Sequence, residues 1–511
     1  KPVKKSLKGS AQSVVSPLAA AVISVDVELG QAVVAKQIIA TVESMKMQTA
    51  LVAPVSGVVL EIGVTAGQTV QTGHVVCRIT EVDAPPEEDK TPIDQQPQSD
   101  GPLEKLNQQL HYSLDSGRQT AVNKRHAKGY RTARENLAQL CDTDSFVEYG
   151  QLAVAAQRDR ISAEDLKVQT AADGVITGLA TINSEQFGSA ATQVAVIVND
   201  YTVLAGTQGY FHHRKIDRML KQVQESFLPV VMYTEGGGGR PGDTDVKTQI
   251  AGLDVPTFAS WAGLSGQVPM IAVNNGYCFA GNAALFGCAD IRIATKTSWI
   301  GMAGPAMIEG GGLGSFAPTD IGPIGVQAEN GVVDLVADDE AHATLLTQQC
   351  LGYFQGTQDA WQCADQTELR DMMPADRRYV YEVRLIIKHL VDTHSFLELT
   401  PAYGCAVVTG FARIEGRAIG LIANDCQMLG GAVDAEAAEK TARFITLCDN
   451  FDIPILSLCD SPGFMVGPAS EEQGAVRRMA QLFVAGAKLN TSLVTIFLRK
   501  GYGLGAMAMA G

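Results

Sequence analysis

Long apolar runs are missing from this 511-residue sequence. No stretch reaches the roughly 18 residues of a membrane span, so a membrane-embedded protein is not expected. Positive charge is in deficit too: 40 Lys+Arg against 55 Asp+Glu leave a net charge of −15. Nucleic acid and anionic membrane surfaces are poor partners for such a chain. Cysteine is sparse and scattered, ten residues without a CxxC pair. That excludes a disulfide-stapled mini-protein and shows no zinc-ligand spacing, so no metal is expected; the thiols read as reduced core residues of a reducing, cytoplasmic compartment. His212-His213 reads as a structural pair rather than a metal site. No Ser/His/Asp constellation or paired carboxylate is evident, and no GK[ST] follows a glycine loop, so a Walker-type nucleotide site is absent.

What is present is bulk. The composition is 46% hydrophobic and 19% charged, enough for several packed cores, and the length suggests about three domains. Gly is abundant, at 51 residues, so tight turns should be common. Basic Lys1–Lys8 before Val14–Val25 mimics a signal peptide, but that stretch belongs to a repeat. The chain starts at Lys1 and stops inside Gly503-Leu-Gly-Ala-Met-Ala-Met-Ala-Gly511, which reads as a piece of a longer polypeptide, residues 1–11 being the remnant of an upstream linker.

The first repeat is short. Val15-Ser-Pro17 recurs as Val52-Ala-Pro54 and Gly30-Gln-Ala-Val33 as Gly67-Gln-Thr-Val70, each pair 37 residues apart. Both copies alternate apolar and polar residues between Gly and Pro breaks, which is strand punctuation. Two copies of four strands predict a small two-fold sandwich over residues 12–82. The copies join at Glu43-Ser-Met-Lys46-Met-Gln48, where Lys46 must sit on an exposed turn between two methionines that have no packing reason to be there. The segment resembles the biotinyl carrier domain of biotin-dependent carboxylases, whose signature is Met-Lys-Met. The resemblance implies biotin joined to Lys46 by an amide bond, attached by a biotin protein ligase. Residues 83–102 follow, rich in Pro and acid with almost nothing to bury. They read as a tether that lets a carrier visit two sites.

A second, longer repeat fills the rest. Val198-Asn-Asp200 matches Ala423-Asn-Asp425, Pro229 matches Pro454 and Gly276-Tyr277 matches Gly501-Tyr502, all 225 residues apart. Leu140–Glu148 likewise resembles Leu390–Glu398. Within each copy apolar strands alternate with amphipathic helices, for example strand Arg417–Asn424, helix Ala435–Cys448, strand Ile453–Cys459, helix Glu471–Ala487 and strand Leu493–Leu498. That alternation predicts α/β domains, here residues 103–370 and 371–511. The motifs Lys124-Arg-His-Ala-Lys-Gly129, Thr132-Ala-Arg-Glu135, Asp173-Gly-Val-Ile-Thr-Gly178, Asp460-Ser-Pro-Gly-Phe464 and Arg499-Lys-Gly-Tyr-Gly503 resemble the carboxyltransferase component of acyl-CoA carboxylases. The resemblance implies twin domains of the crotonase fold. Gly511 maps onto Phe286, so counterparts of Trp299–Gly304 and Gly310–Gly314 are expected to be missing and the second domain incomplete.

The implied reaction carries a carboxyl group on biotin and moves it to the α-carbon of an acyl-CoA, a C–C bond-forming ligase chemistry. Oxyanions form on the thioester and on the biotin ureido oxygen, and backbone N–H pairs at tight glycine turns stabilise such charge. The resemblance assigns Ala280/Gly281 to the acyl-CoA oxygen and Gly505/Ala506 to the biotin oxygen. Asn282 stands where a small residue is usual, and Leu504 reads as an extra residue. The run Gly236, Gly237, Gly238, Gly239 with Arg240 follows a strand, Pro229–Tyr233, and is expected in the acyl-CoA site; Lys215, with Arg214, is read as a contact for CoA phosphates. ATP and Mg are expected only for a biotin carboxylase domain upstream in the same chain, and a homo-oligomer is implied. The rival readings are a biotin-dependent acyl-CoA decarboxylase and a non-catalytic biotin-carrier scaffold.

Overall fold

The computed structural model describes residues 11–81, 101–246 and 254–511. The chain divides into two compact units, the second running from Pro102 to Gly511. Most of the expected tether lies outside the described residues; its last residue, Pro102, instead opens a helix, Pro102–Tyr112, where the missing proline N–H costs nothing.

The first unit has eight strands: β1 (Ala11–Val15), β2 (Ala20–Val25), β3 (Ala32–Val33), β4 (Ile38–Ser44), β5 (Met47–Val52), β6 (Gly57–Ile62), β7 (Thr69–Val70) and β8 (Val75–Glu81). They form two four-stranded sheets, ordered β1-β8-β6-β3 and β5-β4-β2-β7. Advancing 37 positions turns β2, β3 and β4 into β6, β7 and β8 and exchanges the sheets. The core repeats with them: Val22, Ile39 and Val42 are matched by Val59, Val76 and Ile79, all fully buried. Period-two alternation drives this, sending one side chain inward and the next to water.

The second unit is built on two larger sheets. Its strands are β9 (Val147–Tyr149), β10 (Val175–Thr181), β11 (Gln193–Asn199), β12 (Val230–Tyr233), β13 (Met270–Asn274), β14 (Tyr277–Phe279), β15 (Ile291–Thr295), β16 (Trp299–Gly301), β17 (Leu335–Ala337), β18 (Leu397–Leu399), β19 (Val407–Ile414), β20 (Arg417–Asn424), β21 (Ile455–Ser461) and β22 (Leu493–Gly501). One sheet is ordered β17-β15-β13-β12-β11-β10-β9, the other β18-β19-β20-β21-β22, with β14 and β16 pairing apart. In both, two antiparallel pairings precede parallel ones. The parallel strands are apolar on both faces, as covered strands must be. Val194, Val196 and Val198 of β11 face one core. Ala195 and Ile197 face another, with Ile216, Met219 and Val223 from helix Tyr210–Ser226.

The first of those cores also takes Val407, Phe411 and Ile422 of the second sheet, so one apolar cluster serves both. An ion network centred on the buried Asp334 sits near the seam, with Arg443 reaching it from the surface. Asp334 accepts from Arg292 (Nε, 3.0 Å) and from Arg443 (2.7 Å) on helix Ala435–Asn450. Burial opposes ionisation, but the two guanidinium groups hold the Asp334 carboxyl well below the usual carboxylate range. The helix expected at Glu471–Ala487 is broken in two, Pro468–Glu472 and Ala475–Lys488, because Gly474 between them sits at φ +73°. Six cysteines are buried, but Cys288 and Cys363 are exposed rather than core residues.

Candidate functional site: a lysine turn and two glycine turns

In the first unit β4 and β5 are joined by two residues only. Met45 and Lys46 both have positive φ, 51° and 67°, the backbone of a tight hairpin turn matched to strand twist. Met45 is 95% and Met47 73% exposed. Lys46 is exposed as well. The arrangement presents an amine flanked by apolar side chains with no obstruction, which fits covalent attachment of biotin.

In the second unit the first glycine turn follows β12. Three of its four glycine N–H groups are already used: Gly236 donates to Tyr277 O (2.7 Å), Gly237 to Ala205 O (3.1 Å) and Gly238 to Asn282 Oδ1 (3.0 Å). Gly239 N–H meets no acceptor among the described residues, although Gln208 N–H donates to Gly238 O (2.7 Å) and Arg240 N–H to Gln208 O (2.8 Å) on either side of it. Facing this turn is the start of helix Gly281–Cys288, entered through Ala280 at φ +53°. Ala280 N–H donates to Gly301 O (3.0 Å), so it is not available to a ligand. Gly281 N–H, in the first helical turn, has no intrahelical partner. The open pair is therefore Gly239 and Gly281, a correction of Ala280/Gly281.

The second turn follows β21 at the matching place. Gly463 has φ +126°, as Gly238 has +88°. Val433 pairs with Phe464 as Gln208 pairs with Gly239, and Phe464 N–H meets no acceptor among the described residues. The helix here, Gly503–Met509, starts early enough that Ala506 N–H already closes on Tyr502 O (3.4 Å). Gly505 N–H is the open one, and a Cβ on Gly505 would lie 2.7 Å from Phe464 N. The N–H groups at this turn without an acceptor among the described residues are therefore those of Gly505 and Phe464, whereas that of the expected Ala506 is engaged.

Two expected CoA contacts are turned inward. Arg240 is almost fully buried, paired with Asp173 and donating to Thr207 O (2.6 Å); it anchors the loop rather than facing a phosphate. Lys215 Nζ donates to the carbonyls of Ala172 (2.9 Å) and Val175, and burial lowers its pKa to about 8. A signal for this was available: 212, 215, 216, 219, 220 and 223 form the buried stripe of the helix. Sequence reasoning also missed Arg125 and Glu235, a bidentate buried pair at 2.9 and 2.6 Å that fixes the residue just before Gly236. Burial pushes the Glu235 carboxyl up against the pull of Arg125. Above this pair lies a cavity of about 410 Å³, lined by Lys124, Lys128, Tyr130, Tyr201, Ala205 and Tyr277. Both lysines are exposed. Among the described residues no cluster of three or more His, Cys, Asp or Glu could hold a metal, and no helix is long and apolar enough to cross a membrane.

The first unit thus presents an exposed lysine turn, and the second holds paired backbone donors beside a basic, tyrosine-lined cavity. Residues 124–511 match the family described as carboxyl transferase domain, and residues 12–79 the biotin-requiring enzyme family. The chain belongs to the carboxyl transferase domain family, and its carrier is of the type that holds biotin covalently. It is 31% identical to the methylmalonyl-CoA carboxyltransferase 12S subunit of Propionibacterium freudenreichii subsp. shermanii, over 80% of this chain and 78% of that one. It is 31% identical to the propionyl-CoA carboxylase beta chain of Saccharopolyspora erythraea, over 79% and 75%. Among solved structures it matches a single-chain, multi-domain long-chain acyl-CoA carboxylase at 49% identity and TM-score 0.78, covering 99% of this chain. The chain spans about half (49%) of the length of that enzyme. It also matches the transcarboxylase 12S hexamer at 30% identity and TM-score 0.71, covering 80% of both chains.

Proposed function

We propose that this chain is the carrier and carboxyltransferase part of a biotin-dependent acyl-CoA carboxylase, with Lys46 as the biotinylated lysine. The observation that carries the reading is the pair of glycine turns: Gly239 with Gly281, and Phe464 with Gly505, each turn holding two N–H groups that have no acceptor among the described residues. Bound biotin supplies a ureido nitrogen that holds the carboxyl group and, once that group leaves, a base for the α-proton of the substrate. The protein contributes placement and fixed dipoles. Gly239 and Gly281 would serve the thioester oxygen of the substrate, and Phe464 and Gly505 would serve the ureido oxygen of biotin. Lys124 and Lys128 at the cavity mouth take the CoA phosphates. On this reading the two sheets are the centres of twin crotonase-like domains, residues 103–370 and 371–511.

The 49% identity to a long-chain acyl-CoA carboxylase across the whole chain favours a long acyl group over acetyl or propionyl. ATP-dependent loading, and with it the ligase character of the complete reaction, belongs to a biotin carboxylase part, and the working form is an oligomer. The test uses full-length protein with ATP, Mg, bicarbonate and acyl-CoAs of increasing chain length. Carboxylation should rise with chain length and vanish in Lys46→Arg, which should also lose its single biotin by intact mass. Retention of biotin in that variant would refute the lysine assignment, and preference for acetyl-CoA the chain-length one.

A further inference from the structure

We infer that Asn282 is a positioning residue that aims the Gly239 N–H at the thioester oxygen, an inference that rests on the carboxyl-transfer reading above. Asn282 is the second residue of helix Gly281–Cys288 and is fully buried. Its side-chain amide reaches three backbone groups on two segments, the turn after β12 and the corner at Gly206. Oδ1 accepts from Gly238 N–H (3.0 Å), while Nδ2 donates to Thr234 O (3.1 Å) and to Gly206 O (3.5 Å). The orientation of the amide is fixed by these partners, since one is a donor and two are acceptors.

These two segments are those that shape the site. Thr234 ends the run from β12 into the glycine turn. Gly206 closes a left-handed corner in which Leu204, Ala205 and Gly206 all have positive φ, 48°, 55° and 63°, and Ala205 lines the cavity. Gly238 precedes the open Gly239 N–H. The peptide between 238 and 239 is thus held through its carbonyl by Gln208, and the peptide before it through its N–H by Asn282, so Gly238 is fixed on both sides. The turn is fitted around the amide: a Cβ on Gly236 would lie 2.3 Å from Asn282 Nδ2. Because Asn282 directly follows Gly281, one side chain ties the two open N–H groups into a single rigid frame, and preorganised donors of this kind are what stabilise developing charge.

Substitution to alanine leaves Gly238 N–H without its acceptor and two carbonyls without their donor, all buried. In full-length protein, Asn282→Ala should lower kcat for carboxyl transfer by about 100-fold, with KM for acyl-CoA changed less than about threefold and Lys46 biotinylation unchanged. Asn282→Asp keeps the acceptor for Gly238 N–H and, when protonated, one donor. It should recover at least about tenfold over alanine, more at low pH than at high pH. Taken as the ratio of variant to wild-type kcat at each pH, that dependence reports the protonation of residue 282 itself, and it also serves if the alanine variant does not fold. A folded Asn282→Ala protein that transfers at wild-type kcat, or one whose only change is a raised KM, would overturn the inference while wild-type activity leaves the carboxyl-transfer reading intact. An inactive wild type would overturn both.

Discussion

The two sheets of the second unit share a backbone and differ in what holds it. Positions 225 apart superimpose in role along the whole stretch from β11 to the glycine turn. Leu204–Gly206 and Leu429–Gly431 form the same left-handed corner, and Lys215 and Lys440 both bury an ammonium against two carbonyls. Glu235 and Asp460 occupy the same place before the turn. Their partners come from opposite directions, however. Glu235 is held by Arg125 from the preceding helix. Asp460 is held by Arg499 (3.0 Å), by the Lys500 N–H (3.0 Å) and by Tyr381 (2.8 Å). Where the second half has Arg499 and Lys500, the first has the neutral Asn274 and Asn275. Gly238 N–H is held by Asn282, whereas Gly463 N–H is held by the Ser461 hydroxyl (3.2 Å). The main-chain geometry is the shared element and the anchors are interchangeable, which lets the two turns sit in different electrostatic fields while keeping the same shape.

The sharpest way to break this parity is to block one turn at a time. A Cβ on Gly281 would lie 2.4 Å from Gln208 Oε1, and on Gly505 2.5 Å from the Gly463 carbonyl carbon. Gly281→Val and Gly505→Val should each cut carboxyl transfer by about 100-fold or more, checked in steady-state assays beside thermal melts. If either folded variant keeps its rate, the two turns are not equivalent parts of one reaction. A difference in stability, rather than in rate, separates the anchors. Arg125→Met strands the buried Glu235 and should cost about 3–5 kcal/mol of stability. Arg499→Met should cost less, because Tyr381 and the Lys500 N–H still serve Asp460. Equal losses in chemical denaturation would contradict the claim that the anchors differ in kind.

The smallest expected effect concerns the matched lysines. Burial lowers Lys215 and Lys440 each to about 8, against about 10.4 in the unfolded chain. Between those values the unfolded state binds more protons than the folded one, so each lysine makes stability rise with pH over that window. Lys215→Met should flatten the slope of stability against pH between 8 and 10.4 relative to wild type, and Lys440→Met should do the same. An unchanged slope in one would show that its ammonium is solvated.

Much of this architecture is legible from spacing. The 37-residue repeat lands strand on strand, and β20 begins and ends at the residues its apolar run suggests. Spacing carries backbone periodicity, and periodicity is what decides strands and helices. It does not say which N–H in Gly236–Gly239 stays open, because that depends on carbonyls delivered by Ala205 from the left-handed corner and by Tyr277 from β14. Arg240 looks like a free cation after a glycine run only until Asp173, 67 residues earlier, is brought against it by the sheet. Asn282, which reads as a departure from a small-residue pattern, turns out to fill the space that the glycines vacate.

The carrier's strand order has a mechanical consequence. Ala11 at the start of β1 pairs with Thr80 near the end of β8, and the two strands are antiparallel. Entry and exit of the chain therefore lie side by side. Tension applied through both ends does not shear the β1–β8 pair, which would load its hydrogen bonds together; it unzips them one after another from Ala11. The β4–β5 hairpin that displays Lys46 belongs to the other sheet, outside the first line of force. A carrier pulled at its ends yields at its doorway while its working tip keeps its shape.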